Sequence, residues 1–418
     1  MENKTIIRPN YLNTVKEYID KPFVKIITGL RRSGKSELLK MLKSEVLSRG
    51  VDELHTIFIN FEELDTLEIT NHVKLANFIT SKMTDSKRYY LFLDEVQTIE
   101  QWEKVVNGLR LKNTDIYVTG SNSKLLSGEF SSLLGGRVLT FAMHTLSYSE
   151  FLMFRRDEST NFHYFKGDTG YNKYEYLEHY IKYGGFPALS VMPYSLENAR
   201  KIVQDIFNTA LYKDVVKRYN IRNNDLLNKI VAFLFDNVGS LTSFKNITST
   251  LQTSGRKVDP ETVANYVGYL EEAFIIKRAA PYDIKGKQLL DSNSKYYLGD
   301  HSLQYSVRDI RPDKVQGILE NIVFKDLQRR GFEVYVGRLG DKEVDFVAEK
   351  QITNEKVYVQ TTMEFTTPNV TEREFSPLKA IADNYPKYVV NMDRFTSDYI
   401  DDGIVAISLD KFLLKDKL

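Results

Sequence analysis

The N-terminal third of the chain repeats a pattern of apolar runs that each end in polar residues. The first run, FVKIIT at residues 23–28, is followed by a polar loop, GLRRSGKS, and by a segment with apolar residues at helical spacing, ELLKMLKSEVL. Two more runs, YYLFLDEVQ and IYVTGSN, end at Asp94 and at Ser121 and Asn122. Short apolar runs that alternate with helical segments are typical of buried parallel strands. The pattern therefore predicts an α/β domain with a parallel sheet over residues 1–150.

The loop after the first run matches the GxxxxGK[ST] pattern of a phosphate-binding loop and ends in Gly34, Lys35 and Ser36. In such a loop the backbone N–H groups face phosphate oxygens, the lysine reaches the β- and γ-phosphates, and the serine ligates Mg²⁺. A plain glycine turn with a solvated lysine is the alternative. We expect ATP and Mg²⁺ as cofactors, and the expected binding residues are Gly29, Arg31, Arg32, Ser33, Gly34, Lys35, Ser36, Glu37 and Asn122.

The acidic residues that end the second run are predicted to complete the ATP site. In P-loop ATPases an aspartate at a strand end holds Mg²⁺, and a glutamate directly after it polarises the attacking water. We therefore expect Asp94 to bind the metal together with Ser36, and Glu95 to act as general base beside Lys35. Two surface acids at the end of a strand are the alternative. In the next run, Asn122 or its neighbour is expected to contact the γ-phosphate or the water, unless it serves only in a turn.

Arg137 follows two glycines in the segment KLLSGEFSSLLGGRV. An arginine beside a γ-phosphate stabilises the charge that develops during hydrolysis. We expect Arg137 to be a catalytic residue that acts in its own chain or in an adjacent one, and a surface arginine after a tight turn is the alternative. The sequence leaves open whether the protein forms a homo-oligomer.

Several motifs resemble those of a known group. GLRRSGKS, LFLDEVQ, TGSNSKLLSGEFSSLLGGRV and LSYSEF are similar to the ATP-binding module of AAA-type prokaryotic ATPases that carry a C-terminal DUF4143 domain. The resemblance implies an AAA-like α/β fold with a Ser/Asn sensor and a functional arginine after the two glycines. GGFP at 184–187 and LYKDVVKR at 211–218 resemble the start of the DUF4143 segment. The resemblance extends over nearly the whole chain.

The middle of the chain is predicted to be mainly helical. Residues 151–224 are interpreted as a helical lid or linker, and residues 225–300 as a winged-helix domain. The second interpretation depends on helical spacing in LLNKIVAFLFDNVG, SFKNITSTLQ and VANYVGYLEEAF, followed by a β-like pair around IIKRAAPY and KYYLGD. If this domain binds double-stranded DNA, the contacting residues are Thr262, Asn265, Tyr266, Arg256 and Lys257. A winged helix that contacts only protein is the alternative.

Residues 301–418 are predicted to form a restriction-endonuclease-like α/β domain, which is the DUF4143 region of the resemblance. Glu320 on a helix, Asp345 on a strand, and Gln360 with Thr362 on the next strand follow the order of such a core. Two carboxylates there would hold a metal ion that activates water. Thr362 stands where the motif has a lysine, and Gln360 is a neutral ligand. We therefore expect a degenerate nuclease site that serves binding or assembly, with nuclease activity as the alternative.

Composition narrows the remaining classes of function. A net charge of +1 gives no global attraction to DNA, so DNA binding would depend on local basic patches. The absence of cysteine excludes disulfides, thiol catalysis and cysteine-ligated zinc, and the six histidines form no metal-binding pattern. Neither a signal peptide nor an apolar stretch of about 18 residues is evident, so we expect a cytoplasmic protein without membrane contact.

The sequence thus predicts a Mg²⁺-dependent ATP hydrolase of the AAA type, in which ATP binding and hydrolysis move the winged-helix and nuclease-like domains in DNA processing or defence. Two alternatives remain open. One is an ATP-binding interaction scaffold or switch without a nucleic-acid substrate. The other is an ATP-gated nuclease.

Overall fold

The computed structural model describes residues 6–126, 134–156, 173–191, 195–252, 258–290, 293–307, 315–365, 368–393 and 398–418. The chain divides into two compact units. We call Met1–Thr145 with Glu272–Phe274 the N-terminal unit, and Leu146–Glu271 with Ile275–Leu418 the C-terminal unit. The division into four domains stays a prediction.

The N-terminal unit is a parallel α/β structure. Its elements in chain order are α1 (Pro9–Lys16), β1 (Val24–Thr28), α2 (Lys35–Ser48), β2 (Thr56–Asn60), α3 (His72–Lys82), β3 (Tyr89–Asp94), α4 (Trp102–Leu109), β4 (Thr114–Gly120) and β5 (Val138–Ala142). The sheet has the order β2-β3-β4-β1-β5, and all of its neighbouring strands are parallel. The predicted parallel sheet is confirmed.

Both faces of this sheet are covered, which explains why its strands are apolar without alternation. Helix α2 packs its leucines against one face, where they contact Ile27, Phe92 and Tyr117. Helices α3 and α4 pack on the opposite face against Ile26 and Leu91. Every residue of β1 and β3 is buried as a result, so the polar residues that follow these strands are held at fixed positions.

The C-terminal unit begins with helices and ends with a large sheet. Its helices are α5 (Tyr148–Arg156), α6 (Lys173–Tyr183), α7 (Pro187–Ser190), α8 (Leu196–Ala210), α9 (Asn224–Asp236), α10 (Phe244–Gln252), α11 (Pro260–Glu272), α12 (Gln304–Val307), α13 (Val315–Arg329), α14 (Pro368–Lys379) and α15 (Leu409–Leu414), and a π-helix, Leu211–Val216, continues α8. The last residue of α11, Glu272, is assigned to the N-terminal unit.

The strands of the C-terminal unit form two sheets. They are β6 (Ile276–Ala279), β7 (Pro281–Asp283), β8 (Gln288–Leu289), β9 (Lys295–Leu298), β10 (Glu333–Leu339), β11 (Lys342–Lys350), β12 (Glu355–Thr362), β13 (Lys387–Asn391), β14 (Tyr399–Asp401) and β15 (Ile404–Ser408). The large sheet has the order β14-β15-β13-β12-β11-β10-β7-β8, and β6 pairs with β9 in an antiparallel ribbon.

The three helices and the strand pair that suggested a winged helix are present as α9, α10, α11 and the β6–β9 ribbon. Between the two strands of the ribbon, however, the chain contributes β7 and β8 to the large sheet. The large sheet therefore starts before residue 300, where the sequence placed a domain boundary. The winged-helix arrangement itself stays a prediction.

Two layers of helix cover the central strands of the large sheet. On one side α14 contributes Phe375 and Leu378 to a core that includes Val344 and Val389. On the other side Phe324 of α13 contacts Phe346 of β11 and stacks on Tyr297 of the β6–β9 ribbon, with ring centroids 6.1 Å and 4.4 Å apart. This packing fixes α13, β9 and β11 around one pocket, which is described below. Among the described residues, no helix has the length and apolar character that crossing a membrane requires.

Candidate functional site

The loop between β1 and α2 has a backbone that only glycine allows at two positions. Gly29 has φ 152° and Gly34 has φ 104°. A Cβ on Gly29 would lie 2.1 Å from the carbonyl oxygen of Met143, so this position has no room for a side chain. Gly34 is the N-cap of α2 and provides no side-chain cap to the first turn of that helix. The free N–H groups of a helix start attract anions, and a bound phosphate would satisfy them.

Lys35 is folded back over this loop. Its side chain is 3% exposed. Its Nζ donates to the carbonyl oxygens of Gly29 at 3.1 Å and Leu30 at 3.2 Å. The same nitrogen lies 3.7 Å from Oε1 of Glu95. The structure therefore brings the predicted phosphate-binding lysine and the predicted general base together.

The two predicted metal-binding residues also meet. Asp94 ends β3 and is 1% exposed. Thr119 Oγ1 donates a hydrogen bond to Oδ1 of Asp94, and the hydroxyl of Ser36 hydrogen-bonds to the same carboxyl group. Burial raises the pKa of Asp94, while the hydrogen bonds from Thr119 and Ser36 oppose that rise. A cation at this place would stabilise the buried carboxylate, so the pair fits an oxygen-ligated Mg²⁺ ion.

Glu95 has a left-handed backbone, with φ 56°, and its N–H donates to Thr119 Oγ1 at 2.9 Å. Sequence analysis missed the residue that holds its side chain. Gln97 Nε2 donates to Oε2 of Glu95 and, at 3.3 Å, to Oγ of Ser121. A Cβ on Gly120 would lie 2.7 Å from Gln97 Oε1, so this glycine leaves the space that the amide occupies. The only sequence signal was the position of Gln97 within the LFLDEVQ motif.

The other predicted nucleotide-binding residues divide into two groups. Arg31 and Ser33 are buried in the loop, and Arg31 pairs with Glu62 at 3.1 Å. Arg32 and Glu37 are exposed, and Glu37 pairs with Lys40 on the surface of α2 at 2.9 Å. Asn122 is also brought to this edge of the sheet, because its carbonyl oxygen accepts a hydrogen bond from the side chain of Thr28 at 2.9 Å. Its side-chain Oδ1 accepts from the N–H of Lys124, which is ordinary turn chemistry.

The residues at this edge fit ATP with Mg²⁺. Two buried polar atoms, Ser33 Oγ and Gln97 Oε1, have no hydrogen-bond partner within the described part of the chain. Buried polar groups without partners are rare and are expected where a ligand or water completes the structure. They flank Lys35 and Glu95, where the phosphates and the attacking water would lie.

Arg137 lies at the opposite edge of the sheet. It precedes β5, and its carbonyl oxygen accepts from the N–H of Val24 at the start of β1. Since β1 has five residues of roughly 3.3 Å each, about 16 Å of strand separates this edge from Gly29. The structure therefore does not bring Arg137 to Lys35 and Glu95 of its own chain, which corrects the expectation that it could act there.

Other cations surround Arg137 at this amino edge, the edge at which the strands begin. Together with Arg137 and the first residues of β1 and β4 they line a cavity of about 200 Å³, and they are Lys21, Arg88, Arg110 and Lys112. Asp20 pairs with one of them, Arg88, at 3.5 Å. The cavity has the charge to receive an anion from outside the chain.

The predicted nuclease-like residues meet in the C-terminal unit. Glu320 of α13, Asp345 of β11, and Gln360 and Thr362 of β12 line one cavity of about 1050 Å³. Lys295 of β9, which sequence analysis did not single out, reaches into the same cavity. It lies outside residues 301–418, and nothing in the motif order pointed to it.

The candidate DNA-contacting helix, α11, does not have a basic surface. Pro260–Glu272 contains three glutamates and no lysine or arginine. The N–H and hydroxyl of Thr262 both bond to the carboxylate of Asp259, each at 2.8 Å. Asn265 is exposed and Tyr266 is half-buried. Arg256 and Lys257 lie outside the described residues. Carboxylates at the start of a helix repel DNA phosphates, so these described contacts do not favour DNA binding.

Comparisons with known proteins agree with this description of the N-terminal unit. A model of the AAA domain family matches residues 21–152, and a model of a domain of unknown function, DUF8612, matches residues 174–314. The second model is not the DUF4143 domain that the resemblance implied. A solved Walker-type ATPase of Pyrococcus abyssi has a TM-score of 0.51 and 15% identity, over 74% of this chain and 97% of its own. At that identity the likeness concerns the fold alone.

The parallel sheet, the phosphate-binding loop and the matched model identify residues 21–152 as an AAA domain with a P-loop. An uncharacterized protein of Haemophilus influenzae is 35% identical over 99% of this chain and 100% of its own length. Another, from Methanocaldococcus jannaschii, is 31% identical over 93% of this chain and 84% of its own. The chain belongs to the same family as these two proteins.

Removing the amide of Gln97 should slow hydrolysis without weakening ATP binding. Gln97→Ala deletes the donor that orients Glu95, so we expect kcat to fall about tenfold, because one lost hydrogen bond of roughly 1.4 kcal/mol has that effect. KM for ATP should stay unchanged. Steady-state kinetics of Gln97→Ala and the wild-type protein check both expectations. Gln351→Ala, at an exposed turn, is the control. A rise in KM with unchanged kcat would show that Gln97 binds nucleotide instead.

The raised pKa of Asp94 predicts a stability cost at neutral pH. Between the ordinary aspartate value of 3.8 and the raised value, the folded protein binds more protons than the unfolded chain. Stability therefore falls as pH rises through this window. Asp94→Asn removes the buried charge, so it should raise Tm at pH 7 while abolishing Mg²⁺-dependent turnover.

Thermal unfolding at a series of pH values tests this prediction. The gain in Tm should shrink as the pH falls toward 3.8, and Asp341→Asn, at an exposed turn, should show no such gain. A variant that is less stable than the wild-type protein at pH 7 would contradict the assignment.

Proposed function

We propose that the protein hydrolyses ATP at the carboxyl edge of the N-terminal sheet, the edge at which the strands end, and that hydrolysis drives a change in the C-terminal unit. The observation that carries the proposal is the group formed by Lys35, Glu95 and Gln97. A buried ammonium can bind the phosphates, and a carboxylate held in place by an amide can position and deprotonate the attacking water.

Each residue has a separate role in this proposal. Backbone N–H groups of the loop and Nζ of Lys35 bind and orient the β- and γ-phosphates. Ser36 and Asp94 would hold Mg²⁺, which neutralises phosphate charge when bound. Glu95 accepts the proton of the attacking water, and Gln97 keeps its carboxylate in place. Ser121 supports Gln97 from the neighbouring strand, and this contact explains why residue 121 is polar.

Arg137 enters the proposal from an adjacent copy of the chain. Its own ATP site is at the far edge of the sheet, whereas the amino edge has an excess of positive charge in a cavity. A nucleotide bound to a second copy would present the negative charge that this edge lacks. We therefore propose a homo-oligomer in which the amino edge of one copy faces the carboxyl edge of the next.

We assign no substrate to the C-terminal unit. Helix α11 supplies no cation for DNA, and the basic residues expected beside it are outside the described residues. DNA is therefore one condition of the ATPase experiment, and a protein partner in the cytoplasm is the alternative to DNA.

Replacing Glu95 by glutamine should separate binding from hydrolysis. Glu95→Gln keeps the shape of the side chain and one acceptor oxygen but cannot accept a proton. We expect turnover to fall about 10²- to 10⁴-fold, the usual contribution of a general base, with ATP binding retained. Phosphate release by both proteins is measured with Mg²⁺, and with and without duplex and single-stranded DNA.

The possible results of this experiment distinguish a DNA-coupled ATPase, a protein-coupled ATPase and an ATP-binding scaffold. Turnover that DNA stimulates and Glu95→Gln abolishes supports a DNA-coupled ATPase, and turnover that ignores DNA directs the search to protein partners. Turnover no faster in the wild-type protein than in the variant would overturn the proposal and leave an ATP-binding scaffold. Glu103→Gln, the same change at the start of α4, is the matched control and should hydrolyse ATP normally.

A further inference from the structure

The nuclease-like pocket contains a cation of its own. Lys295, the first residue of β9, is 4% exposed. Its Nζ lies 3.1 Å from Oε2 of Glu320, 3.0 Å from Oε1 of Glu343 and 3.4 Å from Oδ1 of Asp345. An ammonium group has three N–H donors, so three carboxylates use all of them. The lysine stands at the point where the three acidic side chains converge.

Two of the predicted metal ligands, Asp345 and Gln360, have their remaining polar atoms occupied. Oδ2 of Asp345 accepts from the N–H of Thr361 at 2.9 Å and from its hydroxyl at 2.8 Å. Gln360 uses both ends of its amide, since Oε1 accepts from the N–H of Asp345 at 3.1 Å and Nε2 donates to Glu374 at 2.9 Å. A divalent ion needs several oxygens directed at one point. Among the described residues, no group of three or more His, Cys, Asp or Glu side chains is placed so that it could hold a metal ion.

We propose that the ammonium of Lys295 takes the place of the metal ion, so that this pocket is held together by an internal cation and binds no divalent ion. The residues of the endonuclease-like pattern therefore do not fit the metal that the pattern implies. The proposal also explains why Thr362 stands where the motif has a lysine. Because β9 already provides a positive charge, β12 needs no lysine. The pocket keeps its acidic lining for packing and not for phosphodiester chemistry.

The charges agree with this arrangement. With all three carboxylates ionised, they and the ammonium carry a net charge of −2 in a mostly buried cluster, and protonation of Glu320 reduces it to −1. Burial and the neighbouring Asp345 raise the pKa of Glu320 to about 7 even though Lys295 opposes the rise. Without the lysine the cluster loses one positive charge, which strengthens its attraction for a divalent ion. Nucleic acid phosphates are repelled in either case.

The test compares two lysine-to-methionine variants of the full-length chain without nucleotide. Lys295→Met should lower Tm and create a Mn²⁺ site, with a dissociation constant of about 10⁻⁴ M, in the range of weak oxygen-ligand sites. Lys342→Met is the matched control, because its Nζ lies in the same pocket but bonds to Ser376. Bound Mn²⁺ is counted by electron paramagnetic resonance, and Mn²⁺ should raise Tm only in Lys295→Met. Adding Asp345→Asn should remove the gained site.

Several results would overturn the proposal. One is Mn²⁺ binding to Lys295→Met that is no tighter than to Lys342→Met. Another is Mg²⁺-dependent cutting of DNA by the wild-type protein that Lys295→Met abolishes, since Lys295 would then be a catalytic lysine. If Lys295→Met does not fold, the wild-type protein supplies the test. Reductive methylation, read by peptide mass spectrometry, should leave Lys295 unlabelled with and without Mn²⁺, and labelling induced by Mn²⁺ would show that the metal displaces it.

Discussion

The direction of the strands in a parallel sheet determines where every polar group of the ATP site lies. All strands end at one edge, so the residues that follow β1, β3 and β4 converge there although they are far apart in sequence. Lys35, Asp94, Glu95 and Ser121 meet for this reason. The same constraint sends Arg137 to the other edge, because it precedes its strand. One sheet therefore has a candidate nucleotide-binding edge and a cationic edge.

Burial makes both pockets of the molecule sensitive to charge. Asp94 is buried with hydrogen bonds from Thr119 and Ser36 that only partly offset the loss of hydration, so the N-terminal site has a carboxylate that a bound cation would stabilise. In the C-terminal pocket the buried carboxylates pair with a cation of the same chain, Lys295. Charges in low dielectric need a partner, and the two pockets differ in whether that partner is a ligand or a side chain.

Short sequence motifs correctly predicted those parts of the structure whose conformation depends on residues close together in the sequence. The loop, its glycines and the strand that ends at Asp94 follow from short motifs whose backbone needs are specific. Gln97 and Lys295 could not be found that way, because each acts through a contact that only the tertiary fold creates. Arg137 could have been placed from strand direction, since a residue before a parallel strand cannot lie with those that follow one. Helix α11 was recognised as a helix, but its acidic start argues against the DNA surface proposed for it.

The central claim is that hydrolysis needs both edges of the sheet, each from a different copy of the chain. Mixing two variants tests it most directly: Glu95→Gln, which lacks the base, and Arg137→Ala, which lacks the arginine. Each should be inactive alone, and the mixture should regain ATPase activity, because an intact Glu95 can meet an intact Arg137 across the contact. Activity that stays at the level of the separate variants, in a mixture shown by size to contain both, would contradict the account.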